Sequence, residues 1–107
     1  MRWYDKLYVG TNANDKQDEI IEKIRNGIFQ FDKFVLALPF NDSDILDIYP
    51  SNILVQSHYL KSDMMILGIA DGMEEAREVM QRIIMDCYRE TGEFHLKNYI
   101  FEKISME

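Results

Sequence analysis

The chain has little of what most recognisable chemistry is built from. It holds one cysteine, Cys87, so an intrachain disulfide and a cysteine-based zinc site are both excluded, and a reducing compartment is expected. It holds two histidines, His58 and His95, far apart in sequence and without H-x-x-x-H or H-E-x-x-H spacing. Basic residues are outnumbered, 12 against 19 acidic, and the net charge is −7. They are scattered among acids and form no stripe. Nucleic acid is therefore not expected as a partner, since binding it needs clustered Lys and Arg to release counterions. An anionic membrane surface is disfavoured for the same reason. No apolar run approaches the ~20 residues of a membrane span. The first residues, MRWYDKLYVG, lack a signal-peptide pattern, because Asp5 and Lys6 interrupt a short apolar stretch. A cytoplasmic protein is expected.

What is present describes a folded domain. Of 107 residues, 47% are apolar, enough for one core, and residues 1–107 read as a single domain. DKLYVG reads as a strand ending in Gly10. A helix with Gln17, Ile20, Ile21, Ile24 and Ile28 at helical spacing follows, with Asn14 as N-cap, Gln17 as its capping-box partner and Gly27 as its stop. Phe34–Leu38 is wholly apolar, which fits a strand covered on both faces. DMMILGIA is a second such run. Its helix is expected to be capped by Asp71 with Glu74 as box partner, to bury Ala76, Val79, Met80, Ile83, Ile84, Cys87 and Tyr88, and to stop at Gly92. Residues 94–104 alternate loosely and suit an edge strand, with a short helix as the alternative.

The expected fold class is α/β, with α+β possible: a small two-layer sandwich of two βαβ units, with a mixed or parallel sheet of four or more strands and two main helices. Residues 40–62 form a long connection between the units, in which ILDIY and NILVQ are able to add a short strand or a helical turn.

Candidate chemistry concentrates at the turns and in this connection. Both strand-to-helix turns offer helix N-termini to an anion. Neither carries a G-x-G-x-x-G or phosphate-loop pattern, and at the second turn Asp71 and Glu74 put negative charge where an anion would sit. The first turn, with Thr11 and Asn12, is less occupied. A ligand pocket is expected between that turn and the connection, lined by Thr11, Asn12, Asn41, Asp42, Tyr49, His58 and Tyr59. Asp42, Asp44 and Asp47 lack the glycine and closing glutamate of a calcium loop and read as a solvated acidic segment. Cys87, on the apolar stripe, reads as a small core filler, not a nucleophile. No catalytic residue, metal or cofactor is expected. The clearest functional signal is a surplus of large apolar side chains, Trp3, Tyr4, Phe29, Phe31, Phe40, Tyr49, Tyr59, Tyr99 and Phe101, more than a small core hides. The leading expectation is thus a noncatalytic association or regulatory module, a homodimer or the partner of another small protein. The alternative is a small-molecule binding protein or enzyme using the pocket just named.

Overall fold

The computed structural model describes residues 1–39, 45–55 and 63–105. Strands β1 (Arg2–Val9), β2 (Lys33–Ala37), β3 (Asp47–Pro50) and β4 (Met65–Asp71) form one mixed sheet in the order β1-β4-β2-β3. The helices are α1 (Gln17–Arg25), α2 (Met73–Thr91) and α3 (Leu96–Ser105), with short 3₁₀ turns at Asn14–Lys16 and Ser51–Val55. The α/β class and the four-stranded mixed sheet agree with the sequence reading.

The two unbroken apolar runs are the two central strands. β4 lies between β1 and β2, β2 lies between β4 and β3, and both are covered on each face. Val35, Ala37, Ile66 and Ile69 pack with Ile20 and Ile24 of α1 and with Leu54. Leu36, Leu38, Met65, Leu67 and Ala70 pack with Val79, Ile83 and Cys87 of α2 and with Leu96, Tyr99 and Ile100 of α3. Helices therefore cover both faces, giving three layers where two were expected. The mixed strands β1 and β3, less continuously apolar, take the edges, where one side needs no partner.

The strand directions correct the βαβ expectation. β1 is parallel to β4, which is antiparallel to β2, so β1 and β2 run in opposite directions. Residues 10–32 leave and re-enter the sheet at the same end, where the Gly72 N–H donates to the Asp32 carbonyl. The second unit has no closing strand, because residues 96–105 are helical. Their buried residues, Leu96, Tyr99 and Ile100, follow i, i+3, i+4 spacing, and this helical period overrides the loose alternation. The long connection contains β3, antiparallel to β2, and the turn Ser51–Val55.

Gly68 does not end a strand. It stands inside β4 at an irregularity, where Leu36 pairs with Gly68 but Ala37 pairs with Ile66. A Cβ there would lie 3.0 Å from the Tyr8 carbonyl oxygen and 3.1 Å from Val79, so glycine lets β1 and α2 close against β4. Two helix stops are as expected. At α1 the Gly27 N–H donates to Ile24 and the Ile28 N–H to Lys23, a Schellman arrangement around Gly27 at φ 66°. Gly92, at φ 73°, closes α2.

The caps differ. Asn14 falls in a 3₁₀ turn, and α1 has no side-chain cap. At α2 the N-cap is Gly72, at φ 98°, and no capping box closes there: Glu75, and not Glu74, reaches back past the cap to the Asp71 N–H, while the Gly72 N–H donates to the Asp32 carbonyl. Asp71 belongs to β4 and uses its carboxylate on Lys16 and Lys33, at 3.0 and 3.1 Å.

Candidate functional site

β1 and β4 are adjacent and parallel, yet the helices that follow them pack on opposite faces of the sheet. Open α/β sheets bind ligands in the crevice formed at such a point, beyond the carboxyl ends of the strands. Here the crevice holds Glu75, which is only 6% exposed. Its Oε1 accepts the Asn12 N–H at 2.6 Å, and its Oε2 accepts the Asp71 N–H at 2.6 Å and the Ala13 N–H at 3.3 Å. The turn after β1 and the last residue of β4 thus direct backbone donors at one carboxylate. Gly10 completes the cradle, since a Cβ there would fall 2.3 Å from Cδ and Oε2 of Glu75. Beside it an open cleft of about 300 Å³ is bounded by Thr11, Glu78, Gln81 and Arg82, and Arg82 donates to the Val9 carbonyl at 2.8 Å.

The residues of the expected pocket divide as follows. Thr11 and Asn12 stand exposed at the Gly10 turn, with the Asn12 N–H already used by Glu75. Tyr49 lies on β3, in the row Val9–Ile69–Val35–Tyr49, three strands and about 14 Å across the sheet from Val9. Its hydroxyl donates to Asp47. Asn41, Asp42, His58 and Tyr59 lie outside the described residues, as do Asp44, Phe40 and the remainder of the acidic segment before Ile45.

A second concavity, which sequence reasoning missed, lies between β1, α2 and α3. It encloses about 370 Å³ and is lined by Tyr4, Lys6, Tyr8, Asp86, Arg89, Glu90, Tyr99 and Lys103. The Tyr8 hydroxyl donates to Asp86 at 2.5 Å, and the Tyr99 hydroxyl donates to Glu90. Lys103 sits 3.0 Å from Glu90 and over the Tyr99 ring. Burial, reinforced by the neighbouring carboxylate, pushes both phenols well above the ordinary tyrosine range. Hydrogen bonds from Tyr99 and then Lys103 hold the Glu90 carboxyl below its ordinary range, and Glu90 in turn raises Lys103. Carboxylates and phenols with separated acidities in one cleft are a pattern found at functional sites. No local motif announces it, because its residues come from three elements distant in sequence.

The third feature is the connection between α1 and β2. Gln30 is buried: its N–H donates to Asn52 Oδ1 at 2.9 Å and its Nε2 to the Ile20 carbonyl at 3.2 Å. The residues on either side point outward, Phe29 being 67% and Phe31 81% exposed, with Ile28 beside them. Two positive-φ residues, Gly27 and Asp32, bracket the segment.

Cys87 is buried and contacts Thr91 and the Glu93 carbonyl, and burial raises its thiol above the ordinary range. His95 is exposed and lies 3.6 Å from Glu93. Among the described residues no three His, Cys, Asp or Glu side chains are grouped to hold a metal ion, and no helix is long and apolar enough to cross a membrane. Comparison with protein-family models, with curated proteins and with solved structures found no match to this chain.

Proposed function

We propose that the protein is an association module, acting without chemistry of its own, and that the segment Ile28–Phe31 is its contact surface. The observation that carries this reading is the fixed outward display of Phe29 and Phe31 on either side of the buried Gln30. Two exposed phenylalanines in a floppy loop would collapse onto the nearest apolar surface. A buried polar anchor between them, with hydrogen bonds to Asn52 and Ile20, prevents that and leaves the rings preorganised for a partner. Aromatic side chains held rigidly are the common anchors of protein interfaces. A second copy of the chain is the proposed partner. A two-fold contact sets each segment against its counterpart, and the small area of three side chains places the dimer in the weak, transient class. The buried, unpaired Cys87 fits a reducing compartment such as the cytoplasm.

Sedimentation across a concentration series tests the proposal. The wild-type chain should approach dimer mass at high micromolar concentration. The double variant Phe29→Ser, Phe31→Ser should stay monomeric with nearly unchanged stability, since exposed positions contribute within about 0.5 kcal/mol. A wild-type monomer at every concentration refutes it.

A second reading, small-ligand binding, is favoured by the tyrosine–carboxylate cleft between β1, α2 and α3. A panel of small polar ligands in a thermal-shift assay tests it. A ligand that binds the native state raises the melting temperature, and Tyr99→Phe should weaken that rise.

A further inference from the structure

We infer that the crevice beyond β1 and β4 is a preformed carboxylate receptor whose resident ligand is the chain's own Glu75. The receptor is made of backbone. Asn12 and Ala13 donate from the turn after β1, and Asp71 donates from the end of β4. They divide between the two oxygens, one on Oε1 and two on Oε2, which matches the flat, two-oxygen shape of a carboxylate. The space is shaped too. Gly10 has no Cβ where Cδ and Oε2 of Glu75 lie, and a methyl group at that position would meet both at 2.3 Å. The donors come from the turn after β1 and from the end of its parallel neighbour β4, at the place in the topology where open sheets bind ligands, so their convergence is more than the free N–H groups of one helix. Glu75 fills the place from the third residue of α2 and is buried in doing so.

A tethered carboxylate outcompetes dissolved ones because its binding is intramolecular. The wild-type crevice is therefore closed to external anions by its own side chain. This accounts for the first turn resembling an anion site while its donors are already engaged. A molecule entering from the adjoining cleft by Thr11 and Arg82 has to displace Glu75 to reach the amides.

Chemical rescue tests the assignment. Glu75→Ala removes the tethered carboxylate and leaves the amides and the Gly10 space. Sodium formate and sodium acetate are titrated against sodium chloride at equal ionic strength, following the melting temperature and the amide resonances of Asn12, Ala13 and Asp71. The expected result is a saturable, carboxylate-specific rise of about 5 °C at roughly ten times the Kd, with those three amides moving most. Wild type and Glu75→Gln, whose crevices remain filled, should respond alike to all three salts. If Glu75→Ala is unfolded in buffer, the same titration is read as recovery of the circular dichroism spectrum, and formate must restore what chloride does not. Equal responses of Glu75→Ala to formate and chloride overturn the inference. So does a specific rise with unmoved amides at these three positions.

Discussion

Removing the Glu75 carboxylate should be among the most costly single changes outside the apolar core. The side chain accepts two short bonds at 2.6 Å and one longer bond at 3.3 Å from backbone amides. A hydrogen bond to a charged group contributes about 1.5–3 kcal/mol, and a buried donor left unmade costs about 1–3 kcal/mol. These figures do not add in full. Asn12 is exposed and an open cleft adjoins the crevice, so water reaches part of the site once the side chain is gone. A loss of about 3 kcal/mol for Glu75→Ala is expected, a large share of the 5–15 kcal/mol typical of a domain. Glu75→Gln separates charge and acceptor count from volume. Its oxygen can serve Asp71 and Ala13, but its NH₂ then faces the Asn12 N–H, donor against donor, and a loss of about 2 kcal/mol is expected. Urea unfolding followed by circular dichroism measures both, with an unchanged m-value as the check that only stability has moved. A Glu75→Gln variant as stable as wild type would refute the reasoning, because it would mean that the three amides do not need a carboxylate.

Other expectations are smaller or simpler. Gly10→Ala should lower the melting temperature clearly, because its Cβ would overlap the Glu75 carboxylate, and combining it with Glu75→Ala should cost less than the two changes summed. Ile83→Ala, in the core beneath α2, should cost about 2–5 kcal/mol in the same unfolding assay, and native Cys87 should react slowly with alkylating reagents. Lys16 chiefly, and then Lys33, hold the Asp71 carboxyl below its ordinary range. Its contribution is therefore present above the unfolded value near about 4 and lost as pH falls through the lower folded value. Asp71→Ala should flatten that acid limb at a cost of roughly 0.5–1 kcal/mol, as suits partly exposed ion pairs. Tyr8 and Tyr99 are raised, so their contribution is full below about pH 10, the unfolded value, and is lost as pH rises above it. Tyr8→Phe and Tyr99→Phe should each blunt the alkaline fall in stability, measured by melting temperature against pH.

Burial was legible in the sequence, and pairing was not. An apolar run such as Phe34–Leu38 or Met64–Ile69 has no polar phase, so it must be covered on both sides, and these runs are the two central strands. Strand direction carries no such mark. Nothing in LYVG or FVLAL says that β1 pairs with β4, or that β2 runs against both, because the period-2 pattern is the same for a parallel and an antiparallel neighbour. Residues 94–104 failed differently. Phe94, Leu96 and Ile100 fit an alternating pattern, while Leu96, Tyr99, Ile100 and Ile104 fit a helical one. Only the face left beside α2 decides between them. Of the expected site residues, Thr11 and Asn12 lie at the Gly10 turn, and the side chain held by the amides there, Glu75, comes from a distant part of the chain.

The stretch DGMEE shows why that occupant was invisible. It contains two overlapping cap patterns, Asp71-x-x-Glu74 and Gly72-x-x-Glu75, and a preference scale favours the first because aspartate is the stronger cap residue. The helix takes the later start, at Gly72, without closing its box, because Glu75 accepts the Asp71 N–H instead. Gly72 adopts φ 98°, and its carbonyl accepts the Ala76 N–H. Two partners outside the helix tip the balance. Lys16 and Lys33 engage the Asp71 carboxylate, so it is not spent on the helix. The Asn12 amide, 63 residues away in sequence, lies where Glu75 reaches it and Glu74, on the exposed side of the first turn, does not. As N-caps, aspartate and glycine differ by only about a few tenths of a kcal/mol. Two short bonds to a buried carboxylate exceed that difference, so the tertiary contact sets the register of the helix start. The residue that a local reading assigns to structure, Asp71, becomes an ion-pair partner. The one it overlooks, Glu75, is what ties the turn after β1 to the end of β4.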